Sequence, residues 1–258
     1  MRNVVRNLKK HQFLFEELVK RDFKQKYKRT VLGMGWSVLS PLLTLLVMKL
    51  IFQHYFGRTI PHYTTYLFCG NLVFAYFREA TSEGMRTLVS NASIFMKINV
   101  PKYLFLLSKN VSALINFLLT VAILFIFVIA DKISINAKFL MLIFPCICLV
   151  LLNIGVGLVL SSLYVFFRDM SYLYKVFIRL LMYMSAIFYQ ISIVPEKYRM
   201  FFYFNPVYCY IEYFRTIILE GRIPSIEYHA LCLLYAFLFI VIGGLMYKRL
   251  NTKFLYYL

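Results

Sequence analysis

The sequence predicts an all-α membrane protein with six transmembrane helices. An amphipathic interface helix precedes them, and a re-entrant helical segment lies between spans five and six. Three observations carry this. Hydrophobic residues make up 61% of the 258-residue chain and mean hydropathy is +0.71, whereas soluble domains are roughly half apolar. Six runs approach the roughly 20 apolar residues a helix needs to cross a bilayer. Residues 1–35 carry a dense basic block, Arg2 to Arg29, against only Glu16, Glu17 and Asp22. Such a block beside a first span is retained on the cytosolic side and orients all the later spans.

The chain divides into two domains: residues 1–35, an interface helix and linker, and residues 36–258, the six-span domain. Within residues 8–27, Phe15, Val19, Phe23 and Tyr27 recur every four residues beside Leu14 and Leu18. Lys9, Lys10, Lys20, Lys24 and Lys28 occupy other faces, the pattern of a basic helix lying at the headgroup boundary. A merely solvated charge run is the alternative.

The spans are placed at 36–56, 64–83, 106–130, 139–166, 172–194 and 230–247. The second and fifth are less clean because Arg78, Glu79, Lys175 and Arg179 lie within them. An even number puts both termini in the cytosol, and the positive residues concentrate in the segments this topology assigns inside, including Lys248, Arg249 and Lys253. The loop 84–103 is then cytosolic, closed by Pro101. Segment 195–229 is too charged for a full span, yet Phe201 to Leu219 is rich in Phe, Tyr and Ile. Asn205 reads as its N-cap, Pro206 as its first helical residue and Gly221 as its terminator. A short apolar helix of this kind fits a re-entrant segment, since broken backbone at membrane depth must be buried in protein or line a cavity. An outer-surface loop helix is the alternative.

The net charge of +18 lies beside and between apolar runs, so it points to anionic lipid headgroups and not to nucleic acid. Residues 1–35 lack the apolar core and small-residue cleavage site of a signal peptide. The five cysteines are scattered, with no CxxC and no Cys/His cluster of zinc spacing, so no metal site is expected. No nucleotide-binding GxxxxGK[ST], nucleophile elbow or HExxH motif occurs, so no catalytic residue is assigned. Energy for any transport must come from another chain or an ion gradient. Secondary carriers hold acidic residues at the midplane, and no Asp or Glu sits near the middle of a span.

Charges at membrane depth are costly and seek partners or the bundle interior. Glu79 or Glu83 is therefore expected to pair with Arg179 or Lys175, with snorkelling as the alternative for Lys175 and Lys109. Aromatic residues form 19% of the chain. Most read as interfacial belts, but Phe52, Tyr55, Tyr183, Phe188 and Tyr189 also offer planes for sugar rings.

At Arg21-Asp22-Phe23-Lys24, Lys26-Tyr27-Lys28, Leu32-Gly33, Trp36 and Pro41-Leu42 the chain resembles the ABC-2 type permeases that export bacterial polysaccharides (O-antigen, capsule and teichoic acid). Thr30 stands where their pattern has a small serine. Phe167-Arg168-Asp169, Asn205-Pro206 and Arg215 extend the match. The resemblance implies a homodimer working with two copies of a separate ATPase subunit, which would hold ATP and magnesium, this chain binding no cofactor. It implies that loop 84–103 carries the coupling helix, with Asn91, Ile94 and Lys97, together with Arg168 and Asp169, as contacts to the ATPase. Arg21, Asp22, Lys24, Tyr27 and Trp36 would form the interface-helix gate. The substrate path would run past the aromatics above, Asn205 and Arg215, for a lipid-linked glycan crossing the bacterial cytoplasmic membrane. An ABC-2 exporter of drugs or lipids is the alternative within transport. A membrane-bound glycan-assembly transferase would need carboxylates near the cytosolic face, and only Asp22, Asp169, Glu79 and Glu83 are available.

Overall fold

The computed structural model describes residues 10–28, 30–57, 59–98 and 100–257. Arg2, Arg6, Lys9, Arg29 and the side chain of Tyr27 lie outside the described residues. Every regular element among the described residues is helical: α1 (Gln12–Tyr27), α2 (Trp36–Phe56), α3 (Tyr63–Ser90), α4 (Ala92–Phe95), α5 (Tyr103–Ala130), α6 (Ile143–Phe166), α7 (Met170–Met184), α8 (Glu196–Tyr203), α9 (Pro206–Ile218), α10 (Ile226–Leu250) and α11 (Phe254–Tyr257). Among the described residues four stretches are long and apolar enough to cross a membrane, Gly33–Phe56, Tyr103–Ala130, Ala137–Phe166 and Ile226–Leu250.

The other two expected spans depart from the sequence reading in opposite ways. The second is expected at 64–83, but α3 runs 28 residues to Ser90, about 42 Å at 1.5 Å per residue. That exceeds the roughly 30 Å hydrocarbon layer, and the charges Arg78 to Arg86 occupy its second half. The helix continues because Thr81, Met85 and Leu88 remain buried at helical spacing. The expected loop 84–103 thus begins as helix and leaves it only at Asn91, whose Nδ2 donates to Thr87 O (2.8 Å). The fifth span is expected at 172–194, but α7 stops after 15 residues at Met184, about 22 Å long. Ala186 then takes φ +48°, and residues 185–190 continue as irregular backbone.

Helix α3 is the central post, packed against α5, α6 and α9. Helices α6 and α10 make the closest pair. A Cβ added at Gly155 would stand 2.4 Å from the Phe239 carbonyl carbon, and one at Gly243 would stand 2.5 Å from Gly155 O. Only glycine permits backbones to approach this far, as small residues do generally in membrane helix pairs. By contrast α2 and α7 keep wide apolar faces exposed, among them Leu46, Leu50 and Tyr55 on α2 and Leu173, Val176 and Leu180 on α7.

We call the end of the bundle bearing α1, α4 and α11 the basic end, and the opposite one the far end. At the far end α8 is exposed while α9 is buried almost throughout. Asn205 caps α9 as expected: its Oδ1 accepts from the Val207 (3.0 Å) and Tyr208 (3.4 Å) backbone N–H groups. Gly221, at φ +61°, comes just after its end. The buried tyrosines of α9 keep partners, Tyr210 donating to Cys232 O (2.7 Å) and Tyr213 meeting His229 Nε2 (2.7 Å).

Candidate functional site

The ion pairs that link different helices gather in one place, where α1 crosses α3 and α5 at the basic end. Helix α1 buries Leu18 and half-buries Leu14, and one turn further on the same face it buries a carboxylate. Asp22 is 4% exposed. Its Oδ1 accepts from Arg21 Nε (3.1 Å) and Nη2 (2.8 Å), and its Oδ2 accepts from the Ser108 hydroxyl (2.8 Å). Lys109 Nζ lies 3.4 Å from Asp22 and 3.4 Å from Glu83. One turn above Glu83, Glu79 Oε1 accepts from Lys26 Nζ (2.8 Å) and Asn116 Nδ2 (2.8 Å). Three acids and three bases from three helices thus form two neighbouring clusters, Arg21–Asp22–Lys109–Glu83 and Lys26–Glu79. A carboxylate that receives several donors holds them in place.

Both clusters line a groove of about 530 Å³, whose wall also includes Gln25, Arg86 and Ile94. A second cleft of about 480 Å³ continues from it between α2, α3 and α5, lined by Ser37, Ser40, Thr44, Asn71 and Thr120. Lys26, Glu79 and Ala113 border both. A polar furrow therefore climbs from the basic end into the apolar belt.

The expected pairing of Glu79 or Glu83 with Lys175 or Arg179 is corrected by the structure. Among the described residues no ion pair joins them: the acids take Lys26 and Lys109, Lys175 stands over the Tyr172 ring at 5.3 Å, and Arg179 is exposed. The reason is the side of α3 that each helix occupies. Helix α7 meets α3 through Tyr174, whose hydroxyl donates to Thr81 Oγ1 (2.6 Å), and it turns both cations outward.

The other candidates divide between those brought together and those set apart. Asn91 is buried and closes the end of α3, Ile94 is half-buried, and Lys97 is exposed beside Met96 and Ile98. Arg168 stacks over Tyr164 at 5.4 Å, and both it and Asp169 are exposed where α6 gives way to α7. Lys24 is exposed, and Trp36 lines the upper cleft. Burial lowers the pKa of Lys102, which closes the α4–α5 connection.

At the far end, Phe52 stacks on Phe188 at 4.5 Å, Tyr183 approaches Phe188 at 6.1 Å, and Tyr189 donates to Tyr183 O (2.9 Å). Tyr55 stands apart, 73% exposed. Asn205 and Arg215 are consumed by structure. The Asn205 amide donates to Met184 O and Ser185 Oγ. Arg215, 3% exposed, donates to Ala186 O (2.9 Å), Ile187 O (2.9 Å) and Tyr66 O (3.4 Å) and lies 3.5 Å over the Tyr66 ring. A Cβ on Gly70 would meet its Nη2 at 2.9 Å. Sequence reasoning missed Lys26, Ser108 and Asn116 as members of the charged furrow. The i, i+4, i+8 register of Leu14, Leu18 and Asp22 was the available signal that the carboxylate faces inward.

A helical bundle with apolar spans and a polar furrow climbing between them has the architecture of a membrane transport subunit. The ABC-2 type transporter family model matches residues 14–219, and the chain belongs to that family. It is similar to the O-antigen export system permease protein RfbA of Klebsiella pneumoniae, 27% identical over 247 residues that cover 94% of this chain and 95% of the relative. It is likewise similar to RfbA of Myxococcus xanthus, at 24% identity with 88% of each chain covered. The polysialic acid transport protein KpsM of Escherichia coli is 23% identical, with 90% and 92% covered.

Proposed function

We propose that this chain is the membrane-spanning permease of an ATP-driven exporter that moves a lipid-linked polysaccharide across the bacterial cytoplasmic membrane. The observation that carries the reading is similarity, over nine-tenths of the chain or more, to an O-antigen export permease and a polysialic acid transport protein, joined to a sequence in which no GxxxxGK[ST] motif occurs. Helices α2, α3, α5, α6, α7 and α10 act as the six spans, with α8–α9 as the re-entrant segment and both termini in the cytosol. The basic block supports that orientation. Two copies of the chain work with two copies of an ATPase, which supplies the ATP and magnesium chemistry. The exposed tip Met96-Lys97-Ile98, with Arg168 and Asp169, receives the ATPase, whose closure acts through its different affinity for two states of the bundle.

The glycan would pass the ring-bearing far end, where Phe52, Tyr183, Phe188 and Tyr189 already pack together. The test is purification of the tagged chain from membranes of its own host. A co-purifying ATPase subunit, together with loss of surface glycan when the chain is deleted, is the expected result. A chain that purifies alone, with surface glycan intact in the deletion strain, overturns the reading.

A further inference from the structure

Below the charged furrow lies a second apolar core, separate from the one around α9. It joins Leu18 of α1, Leu88 of α3, Phe95 of α4, Leu104 and Phe105 of α5, Val165 of α6, Tyr247 of α10 and Phe254 of α11. Phe95 meets Phe105 edge-on at 4.7 Å and Ile94 packs against the same core, so the short α4 is held by these two side chains. Phe254 is 0% exposed and sits 6.1 Å from Phe166 and 5.3 Å from Tyr247, while Tyr257 meets Phe166 edge-on at 4.8 Å. A few residues earlier, the turn at Asn251 accepts Lys102 Nζ at 3.5 Å on both its backbone and side-chain oxygens. The segment after α10 therefore folds back to touch the core that seats α4 and the lysine that ends the α4–α5 connection.

We propose that Asn251–Tyr257 is a strut that positions the α4 segment, with Phe254 the positioning residue through which the bundle answers motion of α4. This rests on the reading of the exposed tip at residues 96–98, carried by α4, as the place where the ATPase docks. A four-residue helix has too few internal hydrogen bonds to hold its own shape, so its stiffness comes from what it packs against. With the Phe254 ring removed, a cavity opens beside Phe166 and Tyr247 in the core that Phe95 and Phe105 share, and a push on α4 is absorbed there before it reaches the rest of α6 and α10.

The experiment compares Phe254→Ala, Phe254→Leu and the Lys102→Met/Asn251→Ala pair in the whole complex, reconstituted with its ATPase. It reads three quantities: ATPase retained per permease, ATP turned over, and glycan moved per ATP. Phe254→Ala is expected to retain the ATPase, hydrolyse ATP and move at least ten-fold less glycan per ATP. Phe254→Leu recovers most of the ratio, and the polar pair shows an intermediate loss. Backbone amides 92–98 should exchange hydrogen at least ten-fold faster in Phe254→Ala, with α9, which belongs to the other core, unchanged. A wild-type ratio in Phe254→Ala, or losses that merely track the amount of folded complex, overturns the proposal. Lys97→Glu reads the docking assignment separately: an ATPase that stays bound in that variant refutes the docking surface, whatever Phe254 does.

Discussion

Replacing Arg215 by leucine should loosen the far end of the bundle more than any other single exchange there. The guanidinium donates to the carbonyls of Ala186 and Ile187 at 2.9 Å each and to that of Tyr66 at 3.4 Å. These carbonyls include the first residues after α7 breaks. Leucine removes a buried charge that makes no direct ion pair among the described residues, though Glu212 one turn earlier feels its field; that removal by itself favours the variant. It also strips the Ala186 and Ile187 carbonyls of that donor, at about 1–3 kcal/mol each, and loses a desolvated cation–ring contact worth about 2 kcal/mol. Taking the relief against those losses, the net cost is about 3 kcal/mol. For a chain of this size that is a fall of roughly 6–12 °C in apparent Tm. Arg215→Lys keeps the charge but not the fork that reaches two carbonyls at once, so about half the fall is expected. The assay is thermal unfolding of the purified chain in detergent, monitored by circular dichroism. A leucine variant that melts within about 2 °C of the parent would refute the keystone role assigned to this arginine.

The remaining predictions concern the furrow and the helix pair. Asp22→Ala leaves Lys109 with Glu83, and Lys109→Met leaves Asp22 with Arg21 and Ser108. A double-mutant cycle on thermal stability should return about 1–2 kcal/mol of coupling between them, and additivity within about 0.3 kcal/mol would remove the link. Glu79→Lys should abolish export by placing a further cation beside Lys26, whereas Arg179→Glu, on the exposed face of α7, should fold and export at near-parental levels. Equal loss in both would restore the pairing with Arg179 that the structure does not contain. Gly243→Val puts a branched side chain where a Cβ alone already stands 2.5 Å from Gly155 O. It should prevent accumulation of folded protein, while Gly244→Val, at a site with open space, should accumulate normally. Membrane extracts probed by fluorescence-detected size exclusion decide between them.

How much of the fold is legible in the sequence depends on whether the cause is local. Helix α2 begins and ends where the apolar run 36–56 does, between Gly35 and Gly57. The α9 cap is readable too, because Asn205 and Pro206 act on their own neighbours. The end of α7 is not, since Ser185 to Gln190 contains neither proline nor glycine. The break there is held by Arg215, 29 residues beyond Ala186, and by Asn205 Nδ2 on Met184 O. The length of α3 is hidden for the opposite reason, as its charges resemble a loop until partners from α1 and α5 are in place. That acids at 79 and 83 need cations comes from electrostatics alone. That the cation for Glu79 comes from Lys26, 53 residues earlier, is a property of how α1 crosses the bundle. The aromatics at Phe52, Tyr183, Phe188 and Tyr189 are readable as a group, but the withdrawal of Asn205 and Arg215 from that group needs the fold.

The most direct measurement places the purified chain in liposomes loaded on one side with a fluorescent lipid-linked glycan, with and without its ATPase, and records the glycan's appearance on the other side. The account predicts movement only when the ATPase and ATP are both present, starting from the side on which the basic end of the permease binds that subunit. Movement by the chain alone, or none with the full assembly and ATP, would contradict it.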